Sequence, residues 1–143
     1  MNKKYIFIVA GFLFLVGGYI FWNQYYNSSE EIWLQNDKSG GNTPQDTINL
    51  FVLALEKKDM ALAASYFIEG GEIRKEDWQA SFQKINEQGF IDEMVMDIKK
   101  AIPDPANSGS LEYRYFLNGV NPQGGVIFLK YNSYTNVWKI QTL

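Results

Sequence analysis

The chain carries no histidine and no cysteine. Acid–base chemistry near neutral pH would therefore fall to carboxylates, lysines and tyrosines whose pKa a fold would have to move. The richest cluster is Glu112-Tyr113-Arg114-Tyr115, with Asp97 and Lys99 as the groups upstream that a fold would have to bring opposite it. Along an extended strand Glu112 and Arg114 share one face and the two tyrosines the other. A solvated ion pair on one face and two core rings on the other account for all four without a reaction. No catalytic residue is assigned, and the protein is expected not to be an enzyme. Metal chemistry has as little footing. Asp104, Asn107 and Ser108 lie in a Pro/Gly loop but miss the calcium-loop spacing. The usual zinc sites need His or Cys, and Gly124-Gly125 is not followed by the Lys-Ser/Thr of a phosphate loop. No cofactor is expected.

Binding is better supplied. Tyr113, Tyr115, Phe128, Tyr131 and Trp138 are the candidate ligand-binding residues, with Tyr134 beside them. A concave site lined by such rings takes an apolar ligand or a peptide. The competing reading is that they fill the core, because a domain of about 100 residues needs large side chains to close its interior. Phe128 and Tyr131 fall on opposite faces of a regular strand, so the whole set cannot line one pocket. Met94 and Met96 read as core filling.

The elements that must position these residues are helices first and strands afterwards, the α+β pattern. Thr43-Pro44-Gln45-Asp46 reads as a helix start, with Thr as N-cap and Pro at the first helical position. Ile48, Phe51, Val52 and Leu55 then form one apolar stripe. Asp59 is expected to cap a second short helix that offers Ala61, Leu62, Ala64 and Phe67 to the core and ends at Gly70-Gly71. A third helix spans 75–87 with Trp78, Phe82 and Ile85 inward and Gly89 as its stop. The run 90–102 fits a helix better than a strand, with Pro103 ending it. From Leu111 the period changes to two. Three strands are expected: one carrying Leu111, Tyr113, Tyr115 and Leu117 on a single face, one over 126–131, and one over 137–142 with Trp138 and Ile140 inward. Short connections make them an antiparallel meander.

Before the domain comes a stretch of different character. Tyr5 to Trp22 is an uncharged apolar run of 18 residues, enough to cross a bilayer core as one helix. It exits through Tyr19, Ile20, Phe21 and Trp22, bulky where a signal peptidase needs small residues, so an uncleaved anchor is expected. Lys3 and Lys4 precede the run, and Glu30 and Glu31 follow it before any cation. The positive-inside rule then leaves the N-terminus cytoplasmic and the C-terminal body outside. The expected organisation is a stub and anchor over 1–26, a polar tether over 27–42, and an exported domain over 43–143. All 16 acidic residues but only 11 of the 13 basic ones follow the run, which leaves that part at −5. An acidic balance argues against a nucleic-acid partner.

The segment TPQDTINLFVLALEKKDMALAASYF (43–67) and the ending FLKYNSYTNVWKIQTL (128–143) resemble, respectively, the opening helices and the last hairpin of the nuclear transport factor 2-like superfamily of cone-shaped domains. The resemblance covers roughly 43–143. It implies a helical layer packed on a curved antiparallel sheet in a small, membrane-anchored extracytoplasmic domain. It supplies no activity, since the enzymes of that superfamily place an Asp or His with Tyr in the cone and this chain has no histidine. The functional expectation is a non-enzymatic module that binds an envelope protein or a second copy of itself, held to the lipid bilayer by Tyr5–Trp22. The alternative is a binder of a small apolar ligand, with an isomerase- or hydrolase-like enzyme last.

Overall fold

A computed structural model describes residues 37–69, 73–107, 111–117 and 125–143. The apolar run Tyr5–Trp22 and the Gly124 position lie outside the described residues. Among those described, no helix is long and apolar enough to cross a membrane.

Helix α1 spans Pro44–Glu56. Thr43 and Asp46 close a capping box: the Asp46 N–H donates to the Thr43 hydroxyl and the Thr43 N–H to the Asp46 carboxylate, each at 3.1 Å. Two of the orphan donors of the first turn are thereby satisfied. The stripe expected from the sequence is the buried one, with Thr47 and Ala54 added to Ile48, Phe51, Val52 and Leu55. Helix α2 spans Met60–Ser65 and is capped by Asp59, which accepts from the Leu62 N–H at 2.9 Å. Its inner face is Met60, Ala63, Ala64 and Ser65. Ala61 and Leu62 point outward, contrary to expectation. The helix also stops before Gly70-Gly71, because Tyr66–Ile68 leaves it to run beside the last strand. There the Ile140 N–H donates to the Tyr66 carbonyl and the Ile68 N–H to the Ile140 carbonyl, both at 2.8 Å.

Helix α3, Lys75–Glu87, has the expected bounds, and Gly89 follows it with φ of 80°. That left-handed turn is one a glycine enters without penalty. Helix α4, Ile91–Lys99, is the helix expected in the ambiguous run, with Ile91, Val95 and Ile98 buried. It ends earlier than 102, since Ile102–Pro103 forms strand β1. Strands β2 (Glu112–Phe116), β3 (Val126–Asn132) and β4 (Val137–Thr142) complete a four-stranded antiparallel sheet in the order β1-β2-β3-β4. The sequence showed three strands. The fourth is two residues long, too short for alternation, and holds a proline that only an edge tolerates.

Register sets the two faces of the sheet. Tyr113 lies opposite Leu129 and Tyr115 opposite Ile127, while Glu112 meets Lys130 and Arg114 meets Phe128. Tyr115, Ile127, Leu129 and Ile140 join Ile48, Phe51, Leu55, Phe67 and Phe82 in one apolar core. Leu111, assigned by alternation to the inner face, precedes β2 and is exposed. Three phenylalanines fill the centre: Phe51 and Phe67 meet edge-on at 5.3 Å, with Phe82 at 5.5 and 5.4 Å from them. Trp78 closes over Phe67 at 4.2 Å.

The domain also takes in residues that the sequence assigned to the tether. Gly41 accepts from the Trp138 N–H at 2.9 Å, and the Gly41 N–H donates to the Thr47 hydroxyl, which in turn donates to the Trp138 carbonyl. Upstream, Asp37 pairs with Lys139, whose ammonium also donates to the Ser65 carbonyl. Lys139 is thus fully buried between Trp138 and Ile140, where alternation gave it to solvent. Gly41 on one side and Phe67 on the other bridge the outer edge of β4. With a Pro-bearing stub at the opposite edge, neither side offers a long free strand among the described residues.

Candidate functional site

The five aromatic residues singled out in the sequence do not form one pocket. Tyr113, Tyr115, Trp138 and Tyr131 run as a row of touching rings, with Tyr113 5.4 Å from Tyr115 and 6.2 Å from Trp138, and Trp138 5.5 Å from Tyr131. Phe128 stands opposite Arg114 on the other face of the sheet, so it cannot join them. Tyr134 is exposed in the β3–β4 turn, where the Asn132 carboxamide accepts its N–H and Asn136 takes the left-handed conformation. The row is largely packing, and Tyr115 is the member that lines a cavity.

The acid–base cluster also comes apart. Arg114 pairs with Asp104 at 2.8 Å rather than with Glu112, which faces Lys130 across the strands. Asp104 further accepts from the Ala106 N–H, while Asn107 brackets the Arg114 backbone, accepting its N–H at 3.0 Å and donating to its carbonyl at 2.8 Å. Asp104 and Asn107 therefore clamp β2. Lys99 pairs with Glu56. No cluster of three metal-ligating carboxylates occurs among the described residues.

Two concave features include residues of α4. The first is an apolar groove of about 350 Å³ lined by Ile85, Phe90, Met94, Ile98, Leu117 and Leu143, with Glu93 and Asp97 on its rim. Its position follows from the helix geometry. Phe90, Glu93, Met94 and Asp97 fall at i, i+3, i+4 and i+7, one face of α4 and its entry turn. Phe90 projects from that face with 55% of its surface exposed, an unusual position for so large an apolar ring. Reading Met94 as core filling missed this groove, and the two residues that flank it on the sheet side, Leu117 and Leu143, carry no motif. The signal available was Phe90, a large apolar ring just ahead of the α4 stripe of Ile91, Val95 and Ile98.

The second feature is a cleft of about 350 Å³ between α1, α4 and β2. Ile48, Val52, Ile98, Ala101 and Tyr115 line it, and Gln45, Asn49, Glu56 and Lys99 stand among its walls. Burial pushes the Tyr115 phenol up to about 12, reinforced by Tyr113 and Asp46. Burial pushes the Lys139 ammonium below its ordinary range, against the pull of Asp37, which favours the charged form. Lys139 lines neither feature; it fastens the 37–41 segment to the sheet.

No protein-family model, no curated protein and no solved structure matches this chain. The resemblance to cone-shaped domains rests on element order and the quoted segments alone.

Proposed function

We propose that the domain is a non-catalytic binding module that docks a partner protein through an apolar, positively charged segment laid in the groove beside α4. The observation that carries this reading is the groove itself, an apolar trough with Phe90 standing open and two carboxylates, Glu93 and Asp97, along its rim. Apolar anchors seated in such a trough supply affinity, and the rim charges select Lys or Arg on the flanks of the incoming segment. The same carboxylates disfavour an anionic lipid surface. The filled centre of the domain speaks for a surface function over an enclosed reaction chamber. In this reading the domain is cone-like, in the manner of the nuclear transport factor 2-like superfamily. It stands outside the cytoplasm on the span Tyr5–Trp22, its partner an envelope protein.

The test uses the full chain in detergent micelles and two amphipathic helical peptides with one leucine face and either a lysine or a glutamate polar face. Fluorescence anisotropy should show the lysine peptide binding at least about tenfold more tightly than the glutamate peptide. Phe90→Ala should weaken it by about tenfold with little change in the thermal midpoint, since Phe90 is exposed and its side chain makes no capping hydrogen bond to α4. Equal affinity for both peptides, or no effect of Phe90→Ala, overturns the proposal.

A further inference from the structure

We infer that the face of the sheet turned away from the helices is a self-association surface, on which a second copy of this chain packs sheet against sheet. It shares no residue with the groove beside α4 and does not depend on it.

Strand register defines this face. Tyr115 and Ile127 belong to the core, so their neighbours along each strand point the other way. Ile102 of β1, Phe116 of β2 and Val126 of β3 stand side by side in one cross-strand row. Phe128 follows two residues along β3, between Arg114 and Thr142. Phe116 and Val126 are half-buried, whereas Ile102 and Phe128 are 37% and 36% exposed. A row of aromatic and β-branched side chains is what the facing surfaces of two packed sheets carry. Phe128, left out of the ring row on the inner face, has its place here.

Charge decides what covers the row. The chain beyond the apolar run holds 16 acidic residues against 11 basic ones, so two copies repel on most approaches. On this face the signs balance. Glu112 lies opposite Lys130, and Arg114 holds Asp104 at 2.8 Å. A two-fold contact sets one patch against an identical patch and therefore needs a surface that complements itself. An apolar centre with equal numbers of both charges does so. A basic segment or an anionic lipid surface gains nothing from a face of zero net charge. Gly41 and Phe67 bridge the outer edge of β4, and β1 carries Pro103, so the copies meet face to face rather than edge to edge. Area sets the strength. Three strands about 4.8 Å apart and about five residues long present roughly 250 Å². That is well short of the roughly 800 Å² per partner of a stable complex, so the association is weak and is populated at high local concentration.

The chain has no cysteine, so Thr142→Cys places a single nitroxide on this face, opposite Phe128. The full chain in micelles, isotope-labelled and wild type, is mixed with an equal amount of the unlabelled, spin-labelled variant at about 0.5 mM each, a concentration suited to a weak complex. The amide signals of Phe116, Val126 and Phe128 should lose intensity, while those of Glu93 and Met94 beside the groove keep theirs. Phe128→Glu in both copies should abolish the loss. Lys130→Glu, which leaves the apolar row intact and gives the face a net negative charge, should abolish it as well, and it keeps the test available if Phe128→Glu does not fold. Spin-labelled lipid in the micelle, in place of the spin-labelled chain, should leave the three amides unchanged. The inference is overturned if the three amides keep their intensity, if the loss falls equally on Glu93 and Met94, if it survives either substitution, or if the labelled lipid produces it.

Discussion

Replacing Asp37 by Ala removes the carboxylate from the fully buried Lys139 ammonium and leaves the Ser65 carbonyl as an acceptor on it. Losing one partner of a buried ion pair costs about 3–5 kcal/mol. Asp37 itself lies at the margin, its side chain 12% exposed, so water can take part of its place and about 2–4 kcal/mol is the expected loss. For a domain of this size that lowers the thermal midpoint by roughly 10–20 °C. Lys139→Met behaves differently. It keeps the apolar stem, discards the charge that had to be desolvated, and leaves Asp37 able to turn to solvent, so it should stay within about 1 kcal/mol of wild type. The pH dependence separates the two causes. Folding lowers the Lys139 pKa from its ordinary 10.5. Between the lowered value and 10.5 the unfolded chain holds a proton the folded one has released, so this group makes stability rise with pH in that window. Without Asp37 the pKa falls further, and the penalty of Asp37→Ala should therefore shrink toward pH 10. Urea denaturation of the full chain, followed by near-ultraviolet circular dichroism at neutral pH and near pH 10, reads both effects. A loss below about 0.5 kcal/mol, or a penalty unchanged by pH, would refute the assignment of Asp37 and Lys139 as the fastening of residues 37–41.

Two further outcomes follow from the same packing. Gly41→Ala places a methyl group 2.5 Å from the Thr47 backbone nitrogen and the Asp46 Cβ, so it should cost about 1–3 kcal/mol in the same denaturation assay. Tyr115 has a pKa raised from 10.0 to about 12. Its contribution is fully present below pH 10 and lost as pH climbs through 12, so wild type minus Tyr115→Phe stability should fall by up to about 2 kcal/mol across that interval. A flat difference would mean that the phenol ionises freely in the folded state.

Much of the fold was legible because local chemistry and tertiary packing agree. Thr43, Pro44 and Asp46 start α1 where a capping box should, and 75–87 is helical over the range its apolar period marks. Strand β1 was not legible: two residues make no pattern, and its pairing depends on β2 more than ten residues later. Lys139 stands between Trp138 and Ile140, both expected inward, so alternation alone turns it away from the core. The chain instead lays Gly41 and Phe67 against the edge of β4 and supplies Asp37 as counter-charge, long-range events with no local signature. The arrangement of the aromatic set was hidden for a related reason. Aromatic alternation shows which rings share a face but not whether a helix stripe covers them, and three phenylalanines from three separate segments fill the space a pocket would need. Tyr115 lines a cavity together with residues of α1 and α4.

Methionine methyl spectra show whether a partner sits in the trough beside α4. Met94 lines the groove, Met96 is exposed on the same helix outside it, and Met60 is buried in the core. Titrating the full chain, labelled at its methionine methyl groups, with the lysine-faced peptide should move the Met94 resonance and leave Met96 and Met60 in place. A shift at Met96 without Met94, or no shift at Met94 at saturating peptide, would rule the trough out as the docking site.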